Sequence, residues 1–150
     1  MRRLTSHILL IIAAMLALSG CSHNNGDIGP WFGLWHLDSL EIDGNPDSSY
    51  DGNLFFLFQG KVFCLRWVNE NTHEYIDCYA KWEESDDGTS ITVNFADPRY
   101  NPEINNGLPN SHMSTITTFR VLIINEKDMV LEHIDQVTGS TLTYRLTKWQ

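Results

Sequence analysis

Basic residues are scarce in this chain: ten against 19 acidic ones in 150, a formal net charge of −9. Such a surface repels nucleic acid phosphates, which excludes a nucleic-acid partner. Long apolar runs are missing too. The run from Ile8 to Leu18 holds about 11 residues, too few for the ~20 of a spanning helix. Beyond residue 30 no segment keeps a 3.6-residue apolar period, so a helical domain is not expected. Chemistry-bearing motifs are equally thin. The histidines after residue 20 (His23, His36, His73, His112 and His133) form no His-x-x-x-His pair and have no cysteine at metal-ligand spacing. There is no Gly-x-Ser-x-Gly elbow, no phosphate-binding glycine loop and no Cys-His nucleophile signature. The reading is therefore non-enzymatic, with no metal and no cofactor.

What is present begins at the N-terminus. Arg2 and Arg3 precede the apolar run, which ends in Leu18-Ser19-Gly20-Cys21. A basic start, a short apolar stretch and small residues before a cleavage point make an export signal. With cysteine next, the stretch resembles the lipobox of bacterial lipoproteins. The resemblance implies removal of residues 1–20, acylation of Cys21 and attachment to membrane through those chains. Eight basic and 19 acidic residues then remain, a net charge of −11. Residues 22–30 are polar and glycine-rich and read as a flexible tether to a single domain over 31–150. The anchor is expected in the outer membrane of a Gram-negative envelope, periplasm-facing or surface-exposed; the tether has no acidic run, which favours the periplasm-facing arrangement.

The domain reads as short strands near 34–42, 53–59, 61–68, 74–82, 89–95, 114–124, 128–135 and 140–149, separated by Asp/Asn/Gly/Pro turns. Eight serially connected strands suit an all-β, antiparallel up-and-down barrel, which leaves no exposed edges; a β-sandwich is the alternative. Pairing Ile124 with Met129 puts Leu122, Ile124, Met129, Leu131, Leu142, Tyr144 and Leu146 on one face, taken as inward. Phe119, Val121, Ile123, Ile134 and Arg145 fall on the other.

An exported protein is free to form disulfides. If Val68 pairs with Glu74, Cys64 lies opposite Cys78 on adjacent strands, close enough for a bridge worth about 3 kcal/mol in the chain-entropy model. Two buried thiols are the alternative.

Residues 96–112 carry Pro98, Pro102 and Pro109 and cannot form a strand. A loop of that length is either a lid over an opening, with Tyr100, Ile104 and Leu108 packing down, or a plain connector. The same register places Arg120 opposite His133, with Asp135 two residues along. That cluster either binds a ligand carboxylate, with Tyr144 and Tyr100 nearby, or is a hydrogen-bonded structural group. Glu83-Glu84 and Asp86-Asp87 read as a solvated hairpin tip rather than a calcium site.

Gly33-Leu34-Trp35 opens the first strand, and Leu142-Thr143-Tyr144-Arg145-Leu146-Thr147-Lys148-Trp149 closes the last. The pattern resembles lipocalin-like domains of bacterial lipoproteins, in which Gly-x-Trp is the signature. The resemblance implies that Gly33 and Trp35 belong to a plug at the closed end, with Arg145 as the basic partner across the ring. It also implies a binding module for a small hydrophobic ligand. The competing expectation is a filled barrel whose outer surface docks an envelope protein.

Overall fold

The computed structural model describes residues 29–69, 71–97, 108 and 111–149. The proposed signal, the lipidation residue Cys21, most of the tether and Tyr100 lie outside the described residues. Among these residues, nine strands follow a short 3-10 turn at Gly29–Trp31. They are β1 (Gly33–Ile42), β2 (Asn45–Pro46), β3 (Leu54–Gln59), β4 (Val62–Val68), β5 (Tyr75–Glu84), β6 (Ser90–Asn94), β7 (Ile116–Ile124), β8 (Asp128–Ile134) and β9 (Thr141–Lys148).

Every neighbouring pair is antiparallel, and β9 returns to pair with β1, from Trp35↔Lys148 to Ile42↔Leu142. Closure of the sheet decides for the barrel over the sandwich and leaves no long strand with a bare edge. β2 is a two-residue return on β1 across Asp43-Gly44, both at positive φ, the geometry of a tight hairpin turn.

Inward positions follow the alternation. Leu54, Phe56 and Phe58 of β3, Phe63 and Leu65 of β4, and Met129 and Leu131 of β8 are buried. So are Leu142, Tyr144 and Leu146 of β9, which confirms the leucine-rich face as the inner one.

Two registers differ from expectation by one residue. Between β4 and β5, Val68 pairs with Tyr75, so Cys64 faces Tyr79 and Cys78 faces Leu65. Partners across a ladder share a face, and Leu65 is inward; the two sulfurs therefore leave the sheet on opposite sides. Both cysteines are free thiols. The cause lies in the connecting loop. The Asn69 side chain accepts the backbone N–H of Asn71 and Thr72, and His73 takes φ +58, which lodges one more residue in the turn.

Between β7 and β8, Ile124 does pair with Met129, but a bulge follows between Val121 and Ile123. It turns Leu122 out to 43% exposure and brings Phe119 to 0%. Arg120 consequently faces Glu132 rather than His133.

Candidate functional site

One end of the barrel is shut by aromatic side chains. Trp31, from the turn preceding β1, packs on Phe58 and Trp82 with ring centroids 5.3 and 5.5 Å away. Its carbonyl accepts the Trp35 indole N–H at 2.9 Å. The basic group across Trp35 is Lys148, whose Nζ lies 4.8 Å from the ring centroid and donates to Pro30 O. Such a contact contributes ~0.5–2 kcal/mol. Arg145 is instead outside the barrel, bonded to Glu41 at 2.8 Å, because its neighbours Tyr144 and Leu146 are the inward ones. Gly33 has a conformational reason to be glycine: its φ is +120°, and a Cβ there would sit 3.0 Å from Lys148 Cε.

Midway up, the lumen is filled. Phe56 of β3 meets Phe119 of β7 at 6.3 Å between centroids, and both meet Tyr144, at 6.1 and 5.2 Å. β3 and β7 stand on opposite sides of the ring of eight long strands, so these side chains span its diameter.

The other end is open in topology and covered by the described C-terminal part of the 96–112 segment. Leu108 packs against the core, while Ser111 and Met113 are buried. The Tyr144 hydroxyl rises from the lumen and donates to Ser111 O at 2.7 Å. On the outside, His112 Nε2 meets Asp47 Oδ2 at 2.8 Å. Burial pushes the Asp47 carboxyl up, but hydrogen bonds from Ser49 and His112 outweigh it and leave its pKa below the usual value. At the same end Asn53, 5% exposed, carries an Oδ1 with no donor among the described residues. A buried acceptor left without a partner costs about 1–3 kcal/mol, and a donor on a bound molecule would remove that cost. Sequence reading missed Asn53; nothing in its local pattern separates it from any other turn asparagine.

The expected polar cluster is dispersed. Arg120 is exposed on the outer face and bonded to Glu132 at 2.7 Å. His133 is buried; its ring packs on Phe119 at 5.8 Å and its Nδ1 donates to Thr118 O at 3.0 Å. Asp135 caps its own turn through Val137 N and Thr138 Oγ1. Arg120 and His133 do line one outer groove of about 820 Å³, with Thr118, Ile134 and Gln136, where the β7–β8 ladder stops short of the strand ends.

The acidic hairpin is internally occupied. Asp87 accepts from Ser85 Oγ, Thr89 N and Thr89 Oγ1, which draws its pKa down to about 2. Glu84 accepts the Trp31 indole. Among the described residues no group of three or more His, Cys, Asp or Glu side chains is placed to hold a metal ion.

On the outer face of β4–β5, Arg66 grips Asp77 with two bonds of 2.7 and 2.8 Å. This guanidinium holds the Asp77 carboxyl below its usual range. Beneath it, burial and the Asp77 charge push the Cys64 thiol up to about 12.

Comparison with known proteins agrees with the architecture. A crystal structure of a lipocalin-like protein from Bacteroides uniformis is similar at TM-score 0.61 and 15% identity, over 81% of this chain and 100% of that one. An uncharacterized protein from Bacteroides eggerthii matches at TM-score 0.60 and 21% identity, over 79% and 99%. Bovine odorant binding protein in complex with undecanal lies further off, at TM-score 0.45 and 12% identity over 83% and 74%. No curated protein matches the sequence. The family model described as "Lipocalin-like domain" matches residues 16–146. With a closed eight-strand meander, an N-terminal plug at one end and that match over most of its length, the chain belongs to the lipocalin-like domain family.

Proposed function

We propose that this protein is an envelope lipoprotein, anchored through Cys21, whose barrel is a non-catalytic binding module for a small hydrophobic molecule. The ring layer of Phe56, Phe119 and Tyr144 leaves no passage at mid-height, so the ligand space is confined to the open end. There Ser111 and Met113 are buried in the covering segment, and the buried Asn53 Oδ1 has no donor among the described residues. The closed barrel with a covering segment held by two side-chain latches, Tyr144 to Ser111 and His112 to Asp47, is the observation that carries the reading. With the Asn53 acceptor, it favours a mainly apolar ligand with a single hydrogen-bond donor.

The test is native mass spectrometry of residues 22–150 purified from a bacterial periplasm. A co-purifying small molecule, lost on denaturation and weakened by Asn53→Leu, supports the binding module. A bare protein mass together with no uptake of an apolar fluorescent probe counts against it. That outcome favours the second reading, a filled barrel docking an envelope protein, which the Phe56–Phe119 contact across the lumen supports.

A further inference from the structure

The lysines gather at one end of the barrel. All four lysines, at 61, 81, 127 and 148, sit in the closed-end turns or on the strand ends beside them. The described open end carries Asp43, Asp47, Asp51, Glu74, Asp97 and Asp135 and no lysine. Large apolar side chains are exposed at both ends: Tyr75, Ile76, Ile116, Ile134 and Val137 at or beside the open end, and Phe32, Val62, Leu122, Ile123 and Trp149 at the closed one. Of the closed-end group, Leu122, Ile123, Trp149 and Phe32 occupy one sector of the rim, from β7 through β9 to the start of β1, and Val62 stands apart on β4. The acidic β5–β6 hairpin, with Glu83, Glu84, Asp86 and Asp87, lies outside this sector, with β6 next to β7 in the strand order.

We infer that this sector is a membrane-docking surface, on which the barrel rests closed end down with its open end facing away from the bilayer. The occupant follows from where the chain leads. Only seven residues lie between Cys21 and Gly29, eight Cα steps with a reach of about 27 Å at full extension, and Gly29 begins the turn that plugs the closed end. Acyl chains on Cys21 thus hold that end within a tether's length of the lipid. Trp149 and Phe32 suit the interfacial layer, where aromatic rings settle, and Lys127 and Lys61 have stems long enough to reach headgroups from its edge. Glu126 and Asp128 flank Lys127, so apolar contact rather than net charge drives the docking. The bulge at Leu122 is what turns that side chain out of the core and into this surface.

The inference rests on acylation of Cys21, and the experiment separates the two. The full chain is expressed in a Gram-negative host and purified in detergent. It is then reconstituted into phosphatidylethanolamine/phosphatidylglycerol vesicles with brominated acyl chains. Intact mass reports acylation, and tryptophan quenching reports depth. Trp31, Trp35 and Trp82 are buried and Trp67 is half-buried near the open end, so with the closed end down Trp149 dominates any lipid quenching. Docking predicts an acylated protein whose fluorescence is quenched, with the loss absent in Trp149→Phe and reduced in Ile123→Glu. An acylated protein quenched equally little with and without Trp149 overturns the docking and leaves the anchor standing. An unacylated mass overturns the anchor and the docking with it.

Discussion

Tyr144 does two jobs with one side chain. Its ring belongs to the layer that fills the lumen, and its hydroxyl ties down Ser111. Burial drives its pKa upward, so the donor is retained at any physiological pH. Tyr144→Phe keeps the ring and leaves a buried carbonyl unpaired, an expected loss of about 1–3 kcal/mol in urea unfolding. Proteolysis in residues 96–112 should quicken in parallel; unchanged stability and cleavage would deny the latch. Cys64 and Cys78 point to opposite faces, so intact mass after mild oxidation should still show both thiol hydrogens. Loss of two hydrogens would mean the register had slipped. Asp77 provides a pH signature. Its pKa is depressed from 3.8 in the folded state by Arg66. The pairing therefore adds stability above about pH 4, and that part is lost as pH falls through the lower, folded value. Acid titration of unfolding should show this slope in the wild type and a flatter one in Asp77→Asn.

At the scale of single elements, β7 is the instructive one. Its sequence, Ile-Thr-Thr-Phe-Arg-Val-Leu-Ile-Ile, is apolar on both faces near its end, so alternation alone does not say which set is inward. An uninterrupted ladder from Ile124–Met129 buries Leu122 and exposes Phe119; the bulge reverses this. The difference is measurable. Phe119→Ala should cost about 3–5 kcal/mol, and Leu122→Ala should stay within about 0.5 kcal/mol. The opposite order of effects would restore the regular register. β4–β5 failed for a related reason: an Asx turn and a left-handed His73 add one residue to the loop, a conformational choice invisible in composition. β3 and β9 were legible because their polar positions really do face solvent: Gln59 and Arg145 are exposed, and the alternation is clean.

For the whole molecule, the closure of β9 on β1 turns a row of hairpins into two unlike ends. One is sealed by Trp31, Trp35, Phe58 and Trp82; the other is covered by a segment held through Tyr144 and His112. Phe56→Ala removes one side of the contact that spans the lumen. Uptake of an apolar fluorescent probe from the open end should then increase. Unchanged uptake would mean the barrel collapses onto the gap instead of admitting a guest.

The sequence by itself determined the all-β class, the eight long strands and the inward face of the last hairpin. Those features rest on alternation and turn chemistry, which are local. Gly33-x-Trp35 was also readable, since glycine and tryptophan are each demanded by one position. Tertiary structure alone decided which cation covers Trp35, which faces the cysteines take and whether Phe119 or Leu122 enters the core. It also decided that Arg120 pairs with Glu132 while sharing a groove with His133, that Asp135 caps its own turn, and that Asn53 Oδ1 meets no donor among the described residues. Each of these depends on a register, and one extra residue in a turn or a bulge sends every following side chain to the other face of the sheet.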